Sequence, residues 1–148
     1  MTIYLLIIGL GIILDQLFKW WVVSNIPLGS EQDFLGSFMS LLHINNYGAA
    51  WGIFHGRQTL LTLVTFFALI LLGVFLYSHY KSNRLEAYAY SFIITGALGN
   101  FIDRVRQGYV TDMFHFKWID FPIFNIADIF ITVGVLLLIL QLFNKKSN

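Results

Sequence analysis

A few polar side chains set into very apolar sequence constrain this chain more than anything else in it. Asp15, Asp103, Arg104, Asp112, Asn125 and Asp128 lie inside or beside stretches greasy enough to cross a bilayer. A charge in hydrocarbon costs several kcal/mol, so chains keep such groups mainly where they pair or work. The composition agrees. Of the 148 residues 57% are hydrophobic and 11% charged, against roughly 25% charged in ordinary soluble domains. The mean hydropathy is +0.72. The fold class expected is a membrane all-α core with a polar site between its helices. A net charge of +1 gives no reason to expect a nucleic-acid partner. The lack of cysteine excludes a thiol nucleophile, thiolate metal ligands and disulfides. Residues 1–14 are apolar, but no basic segment precedes them and no small-residue cleavage site follows. They read as the start of a retained first helix.

Crossing hydrocarbon takes about 20 residues at 1.5 Å each. Four segments fit, at about 3–23, 59–80, 87–104 and 124–143, within a single domain over 1–148. The third is short and ends in Asn100, Asp103 and Arg104. Lys81 and Arg84 between spans two and three, with Lys145 and Lys146 in the tail, put both termini on the cytoplasmic side by the positive-inside rule. Arg57, Arg104, Arg106 and Lys117 count against that orientation. Residues 24–57 hold several glycines, an extended-looking run FMSLLHI and the aromatics Phe34, Phe38, Trp51 and Phe54. They are expected to form a small strand-containing layer lying on the outer face of the membrane. The connection 105–123 is also aromatic, and both connections lie where the acids emerge.

Asp112 sits in YVTDMF, an extended run just beyond span three, and Asp128 in FNIADIF at the entrance to span four. An antiparallel bundle can bring the two together. Paired carboxylates cannot comfortably both ionise, so such a pair holds one proton and supplies both a base and an acid. That equipment suits adding water to a peptide carbonyl with no metal or cofactor. Taken alone, each acid also has a plainer reading. Asn125 and Asp128 are spaced as a helix-capping pattern, and a lone Asp112 in a loop is usually solvated. Asn100, Asp103 and Arg104 share one helical face, where Arg104 can pair with Asp103 or steer a carboxylate. Asp15 and Lys19, four apart, read as a self-neutralising structural pair holding span one against the outer layer. In NNYGAAWG, residues 45–52, Asn45 can bond to backbone and Gly48 permits close approach of another chain; a simple Gly-rich turn fits equally. His43, His55, His79 and His115 lack HExxH spacing, and no GxSxG occurs.

Together NNYGAAWG, GALGNFIDRVRQGYVTDMF and FNIADIF, in that order after Asp15 and Lys19, resemble lipoprotein signal peptidase (signal peptidase II), a family of bacterial inner-membrane aspartic proteases. The resemblance covers essentially the whole chain. It implies removal of signal peptides from prolipoproteins, by cutting before a cysteine that carries a diacylglyceryl group. It implies Asp112 and Asp128 as the catalytic pair, with Asn100, Arg104 and Asn125 in support and Asp15 and Asn45 in the polar set around substrate or fold. It also implies four spans, an outer β-cradle, a mobile outer-side segment over the site, and inhibition by the cyclic peptide globomycin. The substrate enters laterally from membrane phospholipid, and nothing points to an obligate oligomer. Trp51 departs from the family pattern, which usually has Phe there. Two other readings stand beside this one: a small proton-coupled transporter, whose intramembrane acids would form a relay, and a non-catalytic scaffold, whose acids only cap and pair helices.

Overall fold

The computed structural model describes residues 1–48 and 56–146, with side chains to Asn144. Four helices carry most of the chain: α1 (Thr2–Asn25), α2 (Gln58–His79), α3 (Arg84–Gln107) and α4 (Ile126–Lys146). Three of them, α1, α2 and α4, are long and apolar enough to cross a membrane. Leu63, Phe67, Ile70, Leu71 and Val74 of α2 are exposed, and Leu76 is its one buried residue. Apolar surface in water costs roughly 25 cal/mol per Å², so a helix this bare requires an apolar solvent around it.

The expected spans are all present as helices, but their ends move. The third runs from Arg84 to Gln107, a little beyond both predicted limits. Its N-terminus is fixed at Asn83, whose side chain accepts from the Glu86 backbone N–H at 3.1 Å. Its C-terminus is fixed by Gly108, which takes a left-handed φ of 77° and turns the chain into the next strand. Polar Asn100 and Asp103 looked like an end because hydropathy drops there; both are buried against protein. The fourth helix starts later than expected. Phe124 is outside it and bridges to Phe114 instead.

Three strands, β1 (Glu31–Leu35), β2 (Met39–Asn46) and β3 (Val110–Phe116), form one antiparallel sheet in that order. The sheet therefore draws on both connections, not on residues 24–57 alone. β3 leaves α3 and lies beside β2, with Ile44 opposite Asp112 and Asn46 opposite Val110. This pairing takes Asp112 from the end of α3 to the entrance of α4. Trp51, Gly52, Phe54 and His55 lie outside the described residues.

The apolar core is in two parts. Val22, Ile26, Leu41, Met113 and Phe114 fill the space between α1 and the sheet. Tyr4, Leu76, Ala87 and Ile94 fill the far end of the bundle. Along α1 the polar pair Asp15 and Lys19 falls between them. α3 is the central helix, packing on each of the others. Small residues allow this. A Cβ added at Gly96 would overlap the Ala127 carbonyl oxygen, and one at Gly134 would come within 2.6 Å of Ile93 and 2.7 Å of the Ala89 carbonyl oxygen. Backbone cannot give way as a side chain can, so Gly96→Ala must push α4 off α3. The expected loss is about 1–3 kcal/mol, read as earlier thermal unfolding in detergent. A Gly73→Ala control, where nothing lies within 4 Å of the new Cβ, should unfold like the parent.

Candidate active site

Asp112 and Asp128 are joined through two asparagines. Asp112 is fully buried on β3. Its Oδ1 accepts from Asn125 Nδ2 at 2.6 Å, and its Oδ2 from Asn46 Nδ2 at 2.8 Å. Asp128 Oδ1 accepts from Asn100 Nδ2 at 2.8 Å. Asn125 Nδ2 also reaches Asn100 Oδ1 at 3.1 Å, which closes the chain between the two carboxylates.

α4 begins with a reciprocal cap. Asn125 Oδ1 accepts from the Asp128 backbone N–H at 2.9 Å, and Asp128 Oδ2 accepts from the Asn125 backbone N–H at 3.1 Å. The capping pattern and the acid cluster are thus the same residues. Asp128 spends one oxygen on the helix end and turns the other to Asn100. A third unpaired donor of this helix end, the Ala127 N–H, is taken by Asp15 Oδ1 of α1 at 2.9 Å. Burial, and then the charge of nearby Asp128, push the Asp112 carboxyl up to about 7 against the opposing effect of its two amide donors.

Behind this cluster lies a buried ion group. Lys19 Nζ is 2.9 Å from Asp15 Oδ2 and 2.9 Å from Asp103 Oδ2, and it donates to Asn100 Oδ1 at 3.0 Å. Gln16 Nε2 donates to Asp103 Oδ1 at 2.9 Å and to the Gly99 carbonyl at 3.2 Å. The Asp15–Lys19 pair was expected to tie the first helix to the outer layer. It ties α1 to α3 and to the start of α4.

Arg104 does not pair with Asp103, whose carboxylate is occupied by Lys19, Gln16 and the Thr111 backbone N–H. Its Nη2 donates to the Gly48 carbonyl at 3.3 Å, just past β2. From there the guanidinium acts electrostatically on Asp128, Asp112 and Asp103. Its buried Nε has no hydrogen-bond partner among the described residues. Asn45, a predicted site residue, does not join the cluster: its buried Oδ1 has no partner among the described residues. Asn46 takes the place beside Asp112. Successive strand residues face opposite sides, and Asn46 lies diagonal to Asp112 on one face while Asn45 opposes Thr111 on the other. Gln16 and Asn46 were the residues missed. No signal in the sequence alone separates Asn46 from Asn45, because the choice depends on the β2–β3 register.

The described histidines lie apart. His43 Nδ1 donates to the Ile26 carbonyl at 2.7 Å, His79 pairs with Glu86, and His115 lies 3.1 Å from Glu31 on the sheet.

Comparison with known proteins identifies the class of this chain. A family model described as Signal peptidase (SPase) II matches residues 7–144. The lipoprotein signal peptidase of Lactococcus lactis subsp. cremoris strain MG1363 is 48% identical over 97% of this chain and 95% of its own length. That of Streptococcus agalactiae serotype Ia is 42% identical over 93% and 89%. A bacterial membrane enzyme solved at 2.3 Å superposes with a TM-score of 0.95 at 37% identity, covering 100% of this chain and 92% of the other.

The chain belongs to the signal peptidase II family.

Members of the signal peptidase II family are peptidases, and this one is embedded in the membrane through its apolar helices. For this family member the asparagine at the start of α4 should matter to the fold as well as to the site. Asn125→Ala removes a cap, typically worth about 1 kcal/mol, and strands the buried groups it served, at about 1–3 kcal/mol more. A clear fall in unfolding temperature is expected in detergent; an unchanged one would mean water replaces the amide at no cost.

Proposed function

We propose that this chain is an aspartic endopeptidase that removes signal peptides from diacylglyceryl-modified prolipoproteins, cutting before the lipidated cysteine, with Asp112 and Asp128 as its catalytic pair. One observation carries the reading. The two carboxylates are held as a single hydrogen-bonded unit through Asn100 and Asn125. A pair sharing one proton can take a proton from water with its ionised member as that water attacks the scissile carbonyl. The protonated member then stabilises the developing oxyanion, and the pair delivers a proton to the leaving amine. The proton belongs to the pair rather than to either residue.

Asn100, Asn125 and Asn46 orient the carboxylates, and Arg104 tethers the end of β2 at Gly48 while its charge balances theirs. Asp15 acts from behind, through the start of α4. α3 would serve as a fourth span, its polar end turned to protein rather than lipid, and four helices of spanning length support four crossings of one domain. The basic residues Lys81 and Arg84 favour cytoplasmic termini in the bacterial inner membrane, with sheet and dyad near the outer face. Exposed Phe34, Phe38 and Trp118 support a sheet that lies on the membrane as a cradle. A mobile segment over the site belongs to the same reading. A substrate anchored by its lipid would arrive sideways through phospholipid, and one chain supplies both carboxylates, which supports a working monomer. Globomycin would compete for the same site.

The deciding assay uses a diacylglyceryl-modified prolipoprotein and the same peptide with unmodified cysteine. Cleavage of the lipidated form alone is expected. Asp112→Asn and Asp128→Asn should each lower kcat roughly 100- to 10,000-fold in folded protein. Normal turnover by either variant would rule out the dyad.

The pH profile offers a second check. With the Asp112 carboxyl at about 7, the pair loses its last proton above neutrality, so kcat/KM should fall as pH rises through that range. The Asn46 amide favours ionised Asp112. Its loss in Asn46→Ala should therefore raise that carboxyl further and move the alkaline limb to higher pH. A limb that stays put, or moves down, would remove Asn46 from the site.

A further inference from the structure

We propose that Lys19, buried on α1, is a positioning residue of the peptidase site: by holding Asn100 Oδ1 it fixes the amide that orients Asp128. The inference rests on the dyad reading and goes beyond a structural ion pair.

Donor and acceptor chemistry supplies the argument. An ammonium has three donors and no acceptor. Lys19 Nζ uses all three, on Asp15, Asp103 and Asn100. The Asn100 atom facing Lys19 must therefore be its oxygen. That leaves Nδ2 as the only Asn100 atom able to meet Asp128 Oδ1, at 2.8 Å. Asn125 is fixed separately, because its Oδ1 accepts from the Asp128 backbone N–H, which can only donate. Its Nδ2 must then face Asn100 Oδ1 and Asp112 Oδ1. Both amides thus present N–H to the dyad, and Asn100 Oδ1 is the one atom on which the two orientations meet.

Lys19 is itself held firmly. It is 4% exposed, and its two carboxylate partners are tied down by the Ala127 N–H on one side and by Gln16 and the Thr111 N–H on the other. Gly99 permits this arrangement, since a Cβ there would come within 2.6 Å of Asp15 Oδ2. Asp103 on α3 already joins Lys19 to that helix, and Asp15 on α1 already adds a second balancing charge. The third bond, to Asn100, leads to Asp128.

A double-mutant cycle on turnover separates the two roles. Lys19→Met, Asn100→Ala and the double variant are purified in detergent and assayed on lipidated prolipoprotein, with kcat referred to folded protein. Lys19→Met should lower kcat about tenfold or more, as loss of partners one step behind a reacting centre does in metal sites, with little change in KM. In the Asn100→Ala background the same change should cost no more than about threefold, because the route through the amide is already gone. Should Lys19→Met unfold by leaving two buried carboxylates unpaired, the neutral set Asp15→Asn, Lys19→Met, Asp103→Asn is run through the same cycle. Losses that multiply in full, a folded Lys19→Met with parental kcat, or failure of both sets to fold would overturn the positioning role. Asp112→Asn and Asp128→Asn run alongside. If they keep turnover, the dyad reading falls first and takes this inference with it; if they lose it, the cycle judges Lys19 alone.

Discussion

One buried ammonium organises the middle of this molecule. Lys19 lies between two apolar clusters, in a region where an unpaired charge would cost several kcal/mol. It is tolerable there because each of its donors has an oxygen within 3.0 Å. The same condition applies to its partners. Asp15 and Asp103 would be untenable in this interior without Lys19, and each uses its remaining oxygen on another element: Asp15 on the first turn of α4, Asp103 on Gln16 of α1. The requirement that buried charge be fully satisfied therefore does the work of tertiary contacts. It sets α1, α3 and the start of α4 at fixed distances, while small residues such as Gly96 and Gly99 let the backbones come close enough to meet it.

Charge balance in this region points toward the chemistry. Asp15, Asp103, Asp112 and Asp128 are four acids close to two cations, Lys19 and Arg104. Lys19 is bonded to the first two acids. Arg104 acts on the dyad from a distance while its Nη2 is bonded to a carbonyl. Two cations offset only two of the four charges that full ionisation would bury, which favours keeping a proton on the proposed pair. Burial, and then the nearby Asp128 charge, raise the Asp112 carboxyl on the strand to about 7. An excess of buried acid over base is unfavourable for a structural scaffold, and it is what a shared-proton pair requires.

Much of this was legible in the sequence, and what was not has physical causes. Hydropathy locates α1, α2 and α4 because most of their surface meets an apolar solvent. It misjudges α3, whose polar residues are compensated by partners on α1, more than 80 residues away in sequence. The Asp103–Arg104 pairing fails for the same reason: neighbours on one helical face are visible in the sequence, a competing lysine on another helix is not. The third strand, Val110–Phe116, was visible as an extended run, but its place beside β2 was not. Without that register the choice between Asn45 and Asn46 could not be made, since one residue of strand shift exchanges the faces. Asp112 and Asp128 stood out as candidates by their apolar setting and their motifs, although each alone also fitted a plainer reading.

The capping reading of Asp128 and its proposed reading as a site acid were rivals in the sequence, and one geometry accommodates both. A carboxylate has two oxygens. One closes the backbone at the start of α4, which fixes the side chain's rotation and position relative to the helix axis. The other is thereby aimed, with little freedom, at the Asn100 amide and toward Asp112. A site acid on a flexible loop would have to be ordered separately. Here folding the first turn of α4 orders it, and the same turn is held from behind by Asp15. Strand β3 does the equivalent for Asp112, whose two oxygens are taken by amides from α4's cap and from β2. Each acid is thus fixed by an element that must form for the protein to fold at all, so the geometry of the pair is set by the packing of α1, α3, α4 and the sheet.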